Sequence, residues 1–158
     1  MPGVVVIGNS GSGNSALALT LAETSGAKTL DLDTIVWAPG KIAVPRAPEA
    51  AQADLEAFCS THPAWIGEGC YGSLPEYALR WKQEFIFVNP GEAACLANCR
   101  ARPWEPHKYA SKAGQDSKPE FLLNWVSDYY TRDDDISLAR HRAIFNAYDG
   151  AKREITSQ

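Results

Sequence analysis

Val4-Val5-Val6-Ile7-Gly8-Asn9-Ser10-Gly11-Ser12-Gly13-Asn14-Ser15 is the stretch on which the reading of this chain turns. Its opening run of β-branched residues is continuous rather than alternating, as in a central parallel strand covered on both faces. The run passes directly into Gly8 and Gly13, spaced as in G-x-x-x-x-G-K-[ST], a loop whose backbone N–H groups turn inward around an anion. The helix that follows adds its positive N-terminal end. Gly8, Asn9, Ser10, Gly11, Ser12, Gly13, Asn14 and Ser15 are therefore the candidate phosphate-binding residues. Asn14 departs from the pattern, standing where lysine would bring a mobile positive charge to the terminal phosphates. Ser15 keeps the hydroxyl that holds Mg²⁺ in such loops.

Working outward, Leu17, Leu21 and the alanines between them give the following helix an apolar side, and Gly26 is placed to end it. Lys28 to Leu32 reads as a second strand finishing at Asp31-Leu32-Asp33. Pro39, Gly40, Pro45 and Pro48 mark a loop before a helix that carries Ala51, Leu55, Phe58 and Cys59, so residues from about 38 to 62 read as an inserted helical segment. Trp65-Ile66 leads a third strand into Gly67-Glu68-Gly69, and Glu84 to Val88 forms a fourth that ends at Asn89. Pro119 suits the first turn of a helix with Phe121, Leu122, Trp125, Val126 and Tyr129 on one face. Asp133 to Asp135 are placed to cap another helix through about Tyr148, and Lys152 to Thr156 reads as a last strand. Strands alternating with helices imply an α/β fold with three layers: a mostly parallel five-stranded sheet between helices.

The chain of 158 residues fits one domain, and its 45% hydrophobic and 22% charged residues are those of an ordinary globule. No apolar run is long enough to cross a bilayer and no leader opens the chain, so no membrane association and a cytoplasmic location are expected. The net charge of −4 makes nucleic acid an unpromising partner. Cys59, Cys70, Cys95 and Cys99 lack C-x-x-C spacing and read as reduced, structural thiols; the alternative for Cys95 and Cys99, four apart on an expected helix, is a shared metal.

Ligands of such sheets gather beyond the carboxyl ends of the strands. Asp31 and Asp33 point to opposite sides unless the chain turns between them. One carboxylate would then orient Mg²⁺ through water, and the other would accept a proton from an attacking hydroxyl or grip the acceptor; a helix cap or solvated turn is the alternative. Glu68, flanked by Gly67 and Gly69, reads either as an exposed carboxylate assisting Mg²⁺ or substrate, or as a solvated residue in a glycine turn. Trp37 and Tyr71 would wall a planar substrate or pack in the core. Arg100 and Arg102 lead into the basic, proline-marked Pro103-Trp104-Glu105-Pro106-His107-Lys108, and residues from about 100 to 118 have the composition of a lid that neutralises phosphate oxygens and excludes water. A solvated basic face is the alternative. Arg140 and Arg142 would reach back to phosphates or pair with Asp133 to Asp135 at the surface.

The loop, the Asp31-Leu32-Asp33 strand end, the helical insertion, Gly67-Glu68-Gly69 and the Arg100/Arg102 segment together resemble the small P-loop kinases related to adenylate kinase and shikimate kinase. Leu32-Asp33-Thr34-Ile35-Val36-Trp37-Ala38-Pro39-Gly40 is further similar to a segment of the adenylate-kinase-related topology modulation proteins, which are P-loop ATPases or kinases. The resemblance implies ATP and Mg²⁺ as cofactors and transfer of the γ-phosphoryl group to a small molecule or nucleotide. It implies Gly8 to Ser15 on the phosphates, Ser15 and Asp31 on Mg²⁺, Asp33, Arg100 and Arg102 in catalysis, and Asp33, Trp37, Glu68 and Tyr71 on the acceptor. Asn14 in place of lysine, and Ala16 where a threonine is common, imply attenuated turnover. The alternative is a catalytically inactive nucleotide- or anion-binding module derived from a kinase.

Overall fold

Five parallel strands carry the architecture, in the order β2-β3-β1-β4-β5. They are β1 (Gly3–Gly8), β2 (Lys28–Asp31), β3 (Trp65–Gly69), β4 (Glu84–Val88) and β5 (Lys152–Ile155). The computed structural model describes residues 3–37, 45–81, 84–101 and 119–157. The helices are α1 (Asn14–Ser25), the single turn α2 (Asp33–Val36), α3 (Pro48–Thr61), α4 (Ser73–Ala78), α5 (Glu92–Arg100), α6 (Pro119–Asp128) and α7 (Leu138–Ala147). No described helix is long and apolar enough to cross a membrane.

β1 is buried along its whole length, between β3 and β4, which explains why its sequence does not alternate. Val4 and Val6 point to one side, where Ile66, Ile86 and Val88 meet Ala18, Leu17 and Leu21 of α1. Val5 and Ile7 point to the other, where Trp65, Phe85 and Phe87 meet Ala51 and Leu55 of α3, Leu74 and Ala78 of α4, and Ile144 of α7. Each fully buried aliphatic side chain contributes about 1.5–3 kcal/mol, so the two faces of β1 tie the site-bearing end of the sheet to both helical layers.

Gly26 ends α1 as expected: it adopts φ 74° and donates its N–H to the Ala22 carbonyl. The insertion between β2 and β3 is helical from Pro48, and an antiparallel bridge between Trp37 and Pro45 brackets residues 38–44, which lie outside the described residues. Two local expectations change. Gly67 and Gly69 are strand residues of β3 rather than a turn beyond it. Asp133 to Asp135 do not cap α7; Ser137 does, its Oγ accepting the Arg140 N–H at 3.1 Å. Asp135 serves α4 instead, accepting from the backbone N–H groups of Gly72 and Ser73.

Candidate active site

The candidate phosphate loop joins the carboxyl end of β1 to the first turn of α1, next to the ends of β3 and β4. The Ser12 N–H donates to the Asn9 carbonyl at 3.0 Å, closing a turn, and Gly11 and Gly13 adopt φ 82° and 95°. A Cβ on Gly11 would fall on the Cys95 carbonyl oxygen and 2.7 Å from the Cys99 Sγ, so glycine is required there by both conformation and space. α1 has no side-chain cap at its start. Its leading amides are of the kind that accept an anion, with one exception: the Ser15 N–H donates to Asn14 Oδ1 at 3.1 Å. Asn14 is 9% exposed, folded onto the loop rather than extended from it.

Helices α5 and α6 buttress the loop from behind. Asn98 Nδ2 donates to the Gly11 carbonyl at 2.8 Å, and Asn9 Nδ2 donates to the Val126 carbonyl at 3.1 Å. Cys95, Cys99 and Val126 form a small apolar cluster there. Burial pushes the Cys95 thiol up, which keeps it protonated. None of the four cysteines is in a disulfide, and no group of three or more His, Cys, Asp or Glu among the described residues is arranged to hold a metal ion. Arg100 is exposed at the end of α5, two positions beyond Asn98. Arg102 and the rest of the expected lid to residue 118 lie outside the described residues.

Glu68 is buried rather than exposed. It is 5% exposed, in the middle of a parallel sheet, and its register partners are Val6 of β1 and Asp31 of β2. Residues in register share a face, and that face looks toward α1. Ser15 Oγ donates to Glu68 Oε2 at 3.0 Å. The hydroxyl of Ser15 and the carboxylates of Glu68 and Asp31 are hard oxygen ligands of the type Mg²⁺ prefers, so the residues present fit that ion.

The chain does turn between Asp31 and Asp33. The Asp33 N–H donates to Asp31 Oδ1 at 2.9 Å as α2 begins, which sends the two carboxylates different ways. Asp33 accepts a hydrogen bond from the Tyr71 phenol, and Trp37 Nε1 donates to the same phenol oxygen at 3.1 Å. Three residues expected at the acceptor site, Asp33, Trp37 and Tyr71, are thus joined in one hydrogen-bonded chain. Burial, and then the charge of Asp33, push the Tyr71 hydroxyl well above its ordinary range, so it remains a donor to that carboxylate.

His141 was not legible as part of this arrangement. It is fully buried, with Nε2 at 3.0 Å from the Tyr71 carbonyl and Nδ1 at 2.8 Å from the Tyr129 hydroxyl. The carbonyl can only accept, so Nε2 carries the proton and Nδ1 accepts from Tyr129. Burial brings the His141 pKa down to about 4. The helical spacing of Leu138, His141, Ile144 and Tyr148 was the available signal, because it puts the imidazole on the apolar side of α7. The flanking arginines are tied elsewhere. Arg140 pairs with Glu76 at 2.7 Å and Asp135 at 3.5 Å, while Arg142 grips both oxygens of Glu154 at 2.8 Å. Asn89, at the end of β4, donates to that same Glu154 at 3.1 Å.

No protein-family model matches the sequence, and no curated protein matches it. Solved structures do match. A gluconokinase from Sinorhizobium meliloti 1021 superposes with a TM-score of 0.56 at 19% identity, over 99% of this chain and 85% of that one. A sugar kinase from Janibacter sp. HTCC2649 gives a TM-score of 0.50 at 16% identity, over 88% and 97%. A shikimate kinase from Bacteroides thetaiotaomicron gives 0.50 at 14% identity, over 80% and 78%. With its five parallel strands in the order 2-3-1-4-5 and a glycine loop between the first strand and helix, the chain has the fold of the small P-loop kinases.

Proposed function

We propose that this protein binds ATP with Mg²⁺ at the β1–α1 loop and transfers the γ-phosphoryl group to a small hydroxyl-bearing acceptor near Asp33. The observation that carries the reading is the Ser15–Glu68 hydrogen bond. It puts the loop hydroxyl on the Glu68 carboxylate, with Asp31 in register beside Glu68, and this supports a Mg²⁺ site there. The loop amides and the N-terminus of α1 would cradle the phosphates. Bound Mg²⁺ would neutralise charge developing on the phosphate oxygens. Asp33, held by Tyr71, would accept the acceptor's proton. Arg100 would lie on the nucleotide side, since α5 passes directly behind Gly11.

Asn14 sets the rate. A charge-assisted hydrogen bond to phosphate is worth roughly 1.5–3 kcal/mol, and loss of one preorganised donor costs on the order of 10²–10³ in turnover. The inward fold of Asn14 favours a second reading, an anion- or nucleotide-binding module without turnover, because its Oδ1 takes the Ser15 N–H that a phosphate would otherwise use. ADP release from ATP–Mg²⁺, measured across a panel of hydroxyl acceptors for the natural chain and Asn14→Lys, separates the two. A slow natural rate that rises on the order of 10²–10³ in Asn14→Lys supports an attenuated kinase. ADP release by neither protein overturns the kinase reading and leaves the binding module.

A further inference from the structure

Trp37 turns its one polar atom into the protein. Its indole Nε1 donates at 3.1 Å to the Tyr71 phenol oxygen, and that phenol donates to Asp33 Oδ1. An indole N–H can only donate, whereas a phenol has one proton to give and lone pairs with which to receive. With Trp37 on its oxygen, the Tyr71 hydroxyl has to aim its proton elsewhere, and the Asp33 carboxylate lies there. Both donors are held firmly. Trp37 forms an antiparallel bridge with Pro45, and the Arg46 N–H donates to the Val36 carbonyl at 2.8 Å. The Arg46 guanidinium reaches the Ile35 carbonyl at 3.0 Å and Asp54 at 2.7 Å, while Tyr71 is 7% exposed in the core. Asp33, by contrast, opens a helix of a single turn.

We propose that Trp37 is a positioning residue for phosphoryl transfer: by fixing the Tyr71 hydroxyl it orients the Asp33 carboxylate toward the acceptor, and it does so without touching the acceptor. This rests on the kinase reading above and gives Trp37 a part that walling a planar substrate does not require. In that reaction the acceptor hydroxyl gives its proton to Asp33 as its oxygen bonds the γ-phosphorus and ADP leaves. Such transfer asks the protein for positioning above all, so loss of orientation appears in kcat.

A kinetic cycle of Trp37→Phe, Tyr71→Phe and the double variant tests this, in the natural chain and in Asn14→Lys. ADP release is followed with ATP–Mg²⁺ and with glycerol, sorbitol, inositol and adenosine as hydroxyl acceptors, after thermal melts have shown each protein folded. Trp37→Phe keeps a ring and loses the N–H. It should lower kcat roughly 2- to 10-fold, as for one neutral hydrogen bond, with the KM of the acceptor unchanged. In the Tyr71→Phe background it should have no further effect, because Trp37 acts through that phenol. An effect that adds in full to that of Tyr71→Phe, or one confined to the acceptor KM, overturns the proposal and makes Trp37 a wall. A second measurement needs neither turnover nor a Trp37 variant. The Trp37 indole N–H resonance should move in Asp33→Asn and move far less when Tyr71→Phe is also present; a resonance indifferent to Asp33→Asn overturns the coupling. ADP release by none of these proteins removes the kinase reading, and this role of Trp37 with it.

Discussion

Acidification from pH about 7.5 to about 5 should destabilise the fold through one imidazole. His141 is sealed between Phe87, Tyr129 and the Tyr71 carbonyl, with the charges of Asp135 and Arg140 acting on it from the loop before α7 and from α7 itself. Its pKa falls from 6.5 to about 4 on folding, chiefly because burial penalises the charged ring. The sign follows from linkage. The unfolded chain takes up a proton as pH drops through about 6.5 and the native chain refuses it until about 4, so stability is complete above the first value and lost between the two. At about 1.4 kcal/mol per unit, the whole window is worth about 3 kcal/mol, and roughly 2 kcal/mol is gone by pH 5.

Urea unfolding followed by tryptophan fluorescence, on the natural chain and His141→Gln at a series of pH values, isolates this group from every carboxylate common to both. At neutral pH the variant should be less stable by about 1–3 kcal/mol, having lost one of two buried hydrogen bonds. That gap should close by roughly 2 kcal/mol at pH about 5. If the two proteins lose stability in parallel as pH falls, His141 is not buried as a neutral base and the link from α7 to Tyr71 is wrong.

Gly11→Ala should cost roughly 2–5 kcal/mol in urea unfolding, since it combines a positive φ with overlap onto the Cys95 carbonyl. Tyr71→Phe strips the donor from Asp33 and the acceptor from Trp37 Nε1. It should lower stability by about 1–3 kcal/mol and, in an acceptor-dependent ADP assay, reduce kcat more than the KM for ATP. A KM effect on ATP alone would detach Tyr71 from the acceptor side.

The sequence exposed those parts of the molecule whose physics is local. Gly8 and Gly13 betrayed the loop because a backbone wrapped around an anion needs glycine at fixed spacing, and the unbroken run Val4 to Ile7 betrayed a central strand because both its faces are buried. Asp31, Asp33, Trp37 and Tyr71 were recognisable one at a time as strand-end or aromatic candidates. Their joining by hydrogen bonds was not, because α2 had to turn Asp33 away from Asp31 first. Glu68 was misread as exposed: its flanking glycines suggested an open turn, whereas pairing with β1 and β2 keeps both in the strand. Asn98 left no such mark, and the helical spacing around His141 marked only its place on the apolar side of α7. Each acts through a contact with a residue distant in sequence, to Gly11 and to Tyr71, and nothing in their neighbours announces that.

The proposed activity requires the loop between β1 and α1 to hold the phosphates of a nucleotide. Backbone hydrogen exchange of the natural chain, followed with and without ATP–Mg²⁺ at low salt, measures that directly. Nucleotide-dependent protection should concentrate in residues 9 to 17, with smaller changes at Asp31 and Glu68. Protection that leaves this segment untouched, or exchange indifferent to saturating nucleotide, would contradict it.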